Sequence, residues 1–202
     1  MKKLLLICLT SITIFLQGCD ERITPTDPAN GGNSTGTGTN TGGTNTGVAS
    51  GTTAQKTNSI TRKWGYQEIY LIVDGKKSVI YGSNKITTPN NFSISATPND
   101  YQSFSKDGVF QNYDDTDKTT TKGTWKFVDN DKKLNIVSDG QSNDFDINAL
   151  TDVSLDYSLT VLSADAAKAT EGQKGVLITA AFAGVTTKTS KSITMGFKMI
   201  PK

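Results

Sequence analysis

Three carboxylates lie within four consecutive residues at Asp114-Asp115-Thr116-Asp117, and hard oxygen ligands of this kind are the groups that bind calcium. A calcium loop also needs a glycine for its sharp turn and a distal acid that binds through both oxygens, and neither is evident downstream. Asp114, Asp115 and Asp117 are therefore candidate metal ligands, but the sequence favours the tip of a solvated hairpin. No cofactor is expected.

Catalytic chemistry has few groups to draw on. The sequence contains no histidine, and its two cysteines, Cys8 and Cys19, both fall near the N-terminus. Ser-His-Asp and Cys-His arrangements and histidine zinc sites are thus excluded. The remaining acids are scattered, and the sequence does not place any two of them at the separation that glycoside hydrolysis requires. A non-enzymatic protein is expected, and only a cleft with two facing carboxylates would favour a hydrolase.

Trp64 and Trp125 are the candidate ligand-binding residues. A flat apolar ring with one polar group suits both the wall of a ligand cavity and a stacking surface for a sugar. Their neighbours favour positions in a core or at the end of a barrel. Since the formal net charge is only +2 and no basic run occurs, nucleic-acid binding is not expected.

The N-terminal residues have the pattern of an export signal. Lys2 and Lys3 precede an apolar run over residues 4–16, which is too short to cross a hydrocarbon core of ~30 Å. The run ends in Leu16-Gln17-Gly18-Cys19, which resembles the lipobox of bacterial lipoproteins, although Gln17 replaces the commoner small residue. The resemblance implies a signal peptide over residues 1–18 and a lipid on Cys19. The alternative is an ordinary signal peptide with an accidental cysteine.

Residues 19–58 are expected to be a disordered tether. Between residues 24 and 58 the chain consists mostly of Thr, Gly, Asn, Ser and Pro, which bury too little apolar surface to offset the entropy of ordering. Asp20 and Glu21 follow the modified cysteine. Acidic residues there resemble a surface-export tag in some Gram-negative groups, whereas in others Asp at that place signals retention at the inner membrane. We expect a lipid-anchored protein of the cell envelope and favour the outer membrane, with inner-membrane retention as the alternative and the face left open.

Residues 59–202 predict one all-β domain. Val153-Ser-Leu155-Asp-Tyr157-Ser-Leu159-Thr-Val161 alternates apolar and polar residues, as does Ile193-Thr-Met195-Gly-Phe197-Lys-Met199. A weaker alternation over residues 176–182 predicts a further strand, and residues 163–169 predict a two-turn helix or a loop. The turn residues at 74–75, 107–108 and 129–131 predict hairpins. About nine or ten short strands indicate an up-and-down barrel or a sandwich.

Several short motifs in this domain occur in a characteristic order. They are Lys63-Trp64, Tyr101-Gln-Ser-Phe104, Gly123-Thr-Trp125-Lys-Phe127 and Ile147-Asn-Ala-Leu150-Thr151. The domain thereby resembles the lipocalin-like domain of many lipoproteins of Gram-negative bacteria. The resemblance implies a small antiparallel barrel of about eight strands, and the long insertion at residues 76–100 departs from it.

The expected function is that of a membrane-anchored, non-enzymatic lipocalin-like binding module, acting as a monomeric domain. Its expected partners are the membrane, through the N-terminal lipid, and a small apolar ligand inside the barrel or a glycan. The alternative is a surface adhesin or carbohydrate-binding accessory protein that uses exposed loops. A cavity binder needs an empty apolar interior, whereas an adhesin needs a filled core and an exposed aromatic or polar patch.

Overall fold

The computed structural model describes residues 51–83 and 88–202. The predicted signal peptide, the lipid attachment site at Cys19 and the predicted tether as far as residue 50 lie outside the described residues. Within the described part of the chain, no helix is long and apolar enough to span a bilayer.

In the described residues, nine antiparallel strands form a single sheet, and two α-helices flank it. The first helix, α1, is Thr53–Ile60, and the second, α2, is Glu171–Phe182. The strands are β1 (Lys63–Val73), β2 (Lys76–Tyr81), β3 (Tyr101–Phe104), β4 (Val109–Asp114), β5 (Thr119–Val128), β6 (Lys133–Ser138), β7 (Gln141–Leu150), β8 (Leu155–Leu162) and β9 (Ser192–Pro201).

The sheet closes into a barrel because β1 pairs along both of its edges. One edge pairs with β9 from Trp64 to Val73. The other edge pairs with β3 at Lys63–Gly65 and with β2 over Ile69–Val73. Eight strands therefore form the closed wall, and β2 occupies the part of the β1 edge that short β3 leaves unpaired. The predicted all-β, up-and-down antiparallel barrel of about eight strands is confirmed, and the sandwich is excluded.

The predicted hairpin turns occur where the sequence places them. Asp74 and Gly75 both adopt positive φ between β1 and β2, as a tight hairpin turn requires. Gly108 adopts positive φ between β3 and β4, and so do all three residues of Asp129-Asn130-Asp131 between β5 and β6. Asn and Asp tolerate this left-handed region better than most residues, which explains their use in a turn without glycine.

Apolar side chains from alternate positions fill the barrel, and a helix covers each end. On β8 the inward side chains are Leu155, Tyr157, Leu159 and Val161, all buried. At one end, α1 buries Ile60 completely, and Ser59 Oγ donates to Asp152 Oδ1 (2.8 Å) in the turn between β7 and β8. At the other end, α2 packs against β7, β8 and β9.

One predicted strand is a helix instead. Residues 176–182, expected as a strand from their alternation, belong to α2, whose buried residues Gly172, Gly175, Val176, Thr179 and Ala180 recur at helical spacing. Thr170 caps this helix, and Gln173 completes the capping box. Local capping and the apolar end of the barrel together outweigh the weak alternation.

Two other boundaries differ from the prediction. Residues 53–58, expected within the tether, form most of α1, since Thr52 and Gln55 make a capping box and Ile60 anchors the helix in the core. The segment at residues 163–169, expected as a two-turn helix or a loop, contains a 3₁₀ helix, Ser163–Lys168. Val153, expected to face the core, is 71% exposed because β8 begins at Leu155.

The insertion after β2 joins the end of the barrel that α2 covers. The described part, residues 88–100, contains no strand. Ile94 N donates to Ile80 O (2.9 Å), and its side chain is buried in the core. The Phe92 ring stacks on Phe182 of α2, with 6.0 Å between ring centroids. The insertion thus connects the edge of the barrel wall to the C-terminal end of α2.

Candidate functional site, an amide-lined cavity beside α2

A small cavity opens at the α2 end of the barrel. Its walls come from inward-facing positions on six strands, β3, β4, β6, β7, β8 and β9. The lining combines polar and aromatic side chains, namely Gln102, Phe110, Asn112, Ile136, Ser138, Gln141, Asn143, Phe145, Tyr157 and Phe197. None of these residues is charged.

The cavity volume is about 30 Å³. One buried water needs roughly 10–15 Å³ measured in this way, so the space accepts about two waters or one functional group of a larger molecule. The interior beyond it is occupied by the core, with Leu134, Tyr157 and Met199 all fully buried. A cavity of this volume does not accommodate a long apolar chain.

Four side chains form a continuous hydrogen-bonded chain along one side of the cavity. Tyr157 Oη donates to Gln102 Oε1, and Gln102 Nε2 donates to Tyr66 Oη (2.9 Å). Tyr66 Oη in turn donates to Asn112 Oδ1 (2.9 Å). Each phenol is held in place by a hydrogen bond to an amide, and the hydrogen-bonded series ends at Asn112.

Burial keeps both phenols protonated. Desolvation raises the pKa of Tyr66 above the ordinary value of 10.0, and the nearby charges of Asp100 and Asp114 raise it further. Desolvation also raises the pKa of Tyr157, with a smaller contribution from Tyr66. Both phenols therefore act as neutral hydrogen-bonding groups at physiological pH, not as general bases.

Ser138 supplies the least satisfied group of the cavity. Its hydroxyl is buried and has no hydrogen-bond partner among the residues that the structure describes. Asn143 accepts from Thr170 Oγ1 (2.7 Å), the N-cap of α2. A buried hydroxyl without a partner costs free energy, so its presence beside a cavity indicates a place for water or for a polar ligand group.

Neither predicted tryptophan lines this cavity. Trp64 is fully buried near the opposite end of the barrel, and its indole N–H donates to Ile60 O (2.8 Å). Trp125 is also buried, and its N–H donates to Ser105 O (3.0 Å). Both rings therefore serve the core and the α1 end.

The predicted carboxylate run forms the turn between β4 and β5. Asp114 Oδ1 accepts from the backbone N–H of Thr116 (2.8 Å) and of Asp117 (3.2 Å). Asp115 pairs with Lys118 (2.6 Å), and this ammonium lowers the pKa of the Asp115 carboxyl. Across residues 51–83 and 88–202, no three acidic, histidine or cysteine side chains cluster as a metal site would require.

Sequence reasoning missed the cavity residues, although their positions carry a signal. In a strand, residues two apart share a face. Gln102 shares the inward face of Phe104, Asn112 that of Phe110, Ser138 that of Ile136 and Asn143 that of Phe145. Each polar residue stands at the end of a core stripe towards α2. The interrupted apolar stripes would have identified the inward-facing polar positions, strand by strand.

The fold and cavity together define a closed antiparallel β-barrel with a small, uncharged internal site. No family model matches the sequence, and no curated protein matches it either. Among solved structures, the chain is similar to a crystal structure described as that of a lipocalin-like protein from Bacteroides uniformis ATCC 8492. The sequences are 16% identical, the TM-score is 0.33, and the match covers 49% of this chain and 88% of the other. The barrel assignment rests on the strand pairings described above.

Proposed function

We propose that this protein is a non-enzymatic binding module of the cell envelope, tethered to the membrane by a lipid on Cys19, whose barrel binds a small ligand at the α2 end. The observation that carries the proposal is the cavity itself, where the buried Ser138 hydroxyl lacks a partner within the described chain. Stability alone would favour an apolar residue at that position, because an unpaired buried hydroxyl costs about 1–3 kcal/mol.

Two further features support a binding role without catalysis. The protein has no histidine, and its cysteines lie outside the barrel. The phenols beside the cavity are held in the neutral form, as described above. A site with fixed hydrogen-bonding groups and no titrating group near neutrality suits recognition better than proton transfer.

The anchoring part of the proposal depends on the lipobox-like sequence Leu16-Gln17-Gly18-Cys19. Two or three acyl chains on this cysteine would hold the domain stably, since each buried methylene contributes ~0.8 kcal/mol. The acidic pair Asp20-Glu21 is consistent with sorting to the outer membrane. The barrel would act there as a monomer on its tether.

Native mass spectrometry of the full chain, extracted from its own envelope, tests both parts. We expect acylation at Cys19 that disappears in Cys19→Ser, and an additional non-covalent mass on the folded protein that is lost on denaturation. Absence of acylation would contradict the tether. Absence of an additional mass would contradict the cavity binder and would favour the outer wall, where Tyr101 stacks on Tyr113 with 5.0 Å between ring centroids.

A further inference from the structure

The geometry points to an uncharged, hydroxyl-bearing ligand of the neutral saccharide class, which inserts one hydroxyl-bearing edge between Ser138, Asn112 and Asn143. This inference rests on the proposed function, because it names the ligand of that same cavity. From the sequence we expected a small apolar ligand inside the barrel or a glycan, and the lining of the cavity favours a polar ligand.

The charge of the lining is the first property that restricts the class of ligand. No acidic or basic side chain lines the cavity. An ionised ligand group that entered it would lose its hydration without gaining an opposite charge, which is strongly unfavourable. The phenols of Tyr66 and Tyr157 do not help, because burial keeps them neutral. The site therefore selects against carboxylates, phosphates and ammonium groups.

The polar groups of the lining that lack a partner are the second property that restricts the class of ligand. The Ser138 hydroxyl has no hydrogen-bond partner among the described residues. Asn112 and Asn143 each accept a hydrogen bond at Oδ1, from Tyr66 and Thr170 respectively, and neither Nδ2 donates to a described residue. A wholly apolar ligand would leave these groups desolvated and unpaired, which sites of this type reject strongly.

A hydroxyl satisfies this set better than other neutral groups. It accepts from an amide N–H and donates to an oxygen at the same time, and both kinds of group line this cavity. Two adjacent hydroxyls therefore match the amide and hydroxyl groups of the lining. Adjacent hydroxyls on one rigid edge are the defining feature of a sugar ring.

The remaining walls suit the less polar faces of such a ring. Phe145 meets Tyr157 edge-on at 5.2 Å between centroids, and Tyr157 stacks on Phe197, also at 5.2 Å. With Phe110 they give the cavity an aromatic wall against which C–H groups can pack. A cavity of about 30 Å³ admits only one edge of the ring, so the rest of the ligand must lie at the mouth beside α2.

The test is a titration of the full chain, labelled with ¹⁵N, followed through the side-chain amide signals of Gln102, Asn112 and Asn143. Three probes differ in the deciding property: glucose is neutral, glucuronate adds a carboxylate, and palmitate adds an acyl chain. We expect saturable shifts of these amides with glucose, weaker shifts with glucuronate, whose carboxylate must stay outside the cavity, and no shifts with palmitate at the same concentrations.

Ser138→Ala separates binding from folding. It removes the unpaired hydroxyl, so the free protein should be at least as stable in urea, while glucose binding weakens about tenfold, the effect of one good hydrogen bond. Ser103→Ala is the matched control, because Ser103 lies next to Gln102 on β3 but faces outward. This substitution should change neither the stability nor the glucose affinity.

The outcomes distinguish the two proposals. Shifts with palmitate or glucuronate but not with glucose would overturn the saccharide inference and leave a cavity binder in place. No shift with any probe, together with no additional mass on the native protein, would overturn both. Equal glucose affinity in Ser138→Ala and wild type would exclude the cavity as the glucose site.

Discussion

At the scale of single residues, the polar groups of the barrel are arranged to be neutral and fixed. In the chain Tyr157, Gln102, Tyr66 and Asn112, the Gln102 amide both accepts and donates, and the Asn112 amide accepts at Oδ1. Such a network is costly when only partly satisfied, because buried polar groups without partners lose the full free energy of hydration. The observed pairing satisfies both phenols and fixes the Gln102 and Asn112 amides beside the cavity.

The raised pKa values of Tyr66 and Tyr157 predict alkaline instability. Each phenol ionises near pH 10 in the unfolded chain and at higher pH in the folded barrel, so the folded state retains the proton longer. The stabilising contribution is complete below pH 10 and is lost as the pH rises above it. We expect the free energy of unfolding to fall above pH 10 by up to about 1.4 kcal/mol per pH unit for each phenol.

Urea denaturation between pH 8 and pH 11.5 measures this slope, and Tyr157→Phe supplies the comparison. Phe cannot ionise, so the variant should lose the part of the slope that Tyr157 contributes between pH 10 and 11.5, up to about 1.4 kcal/mol per pH unit. Lysine residues lose protons over the same range in both proteins, and their effect cancels in the difference. Equal slopes in the two proteins would show that Tyr157 does not titrate on unfolding.

At the scale of elements, α2 is joined to the cavity through Asn143. The N-cap Thr170 donates to this amide (2.7 Å), and a Cβ added at Gly172 would overlap the same side chain. The first turn of the helix therefore sits directly on a cavity residue. Any ligand that moves Asn143 must also move the start of α2.

Gly172→Ala tests this contact because two effects oppose each other. Alanine improves helix propensity by up to about 1 kcal/mol, whereas overlap with Asn143 costs roughly 1–3 kcal/mol in a close-packed site. We expect a net destabilisation of about 1 kcal/mol or more in urea denaturation. In an Asn143→Ala background the overlap disappears, and the same substitution should be neutral or stabilising. A purely additive double variant would contradict direct contact.

The elements also show what the sequence could and could not predict. The alternation from Ile193 to Met199 identifies β9 correctly because each apolar side chain there has a place in the barrel. Val176 to Phe182 alternates too, yet it forms a helix, because an apolar end of the barrel needs covering and Thr170 supplies a cap. Alternation in a short apolar run does not distinguish a strand from a buried helix.

The cavity was hidden for a related reason. Gln102, Asn112 and Ser138 are unremarkable in polar strand sequences, and only the closure of the barrel places them side by side. Their inward orientation could be deduced strand by strand, but their convergence depends on register, which turn lengths alone do not determine. Trp64 and Trp125 were candidate ligand-binding residues, yet both are buried away from the cavity, because large aromatic rings suit cores and binding sites equally well.

At the scale of the whole barrel, the two ends have different roles. The α2 end contains the cavity. The α1 end is closed by apolar contacts and by hydrogen bonds between α1 and the barrel wall. Ile60 is fully buried there, and its carbonyl accepts the Trp64 indole N–H. Lys56 Nζ donates to Asp131 O (3.1 Å) in the turn between β5 and β6. Residues before the predicted start of the domain at 59 therefore belong to the folded unit.

Truncation from the N-terminus tests this boundary. A variant that starts at Gly51 retains α1 and should match the free energy of unfolding of the full chain. A variant that starts at Arg62 loses the buried Ile60 side chain, worth about 1.5–3 kcal/mol, and leaves the Trp64 N–H without its acceptor, at a further 1–3 kcal/mol. We expect the second variant to be less stable by about 3–5 kcal/mol in urea denaturation.

Ile60→Ala in the longer variant should reproduce roughly half of that loss. If both truncated variants are equally stable, α1 only lies against the barrel and does not close it.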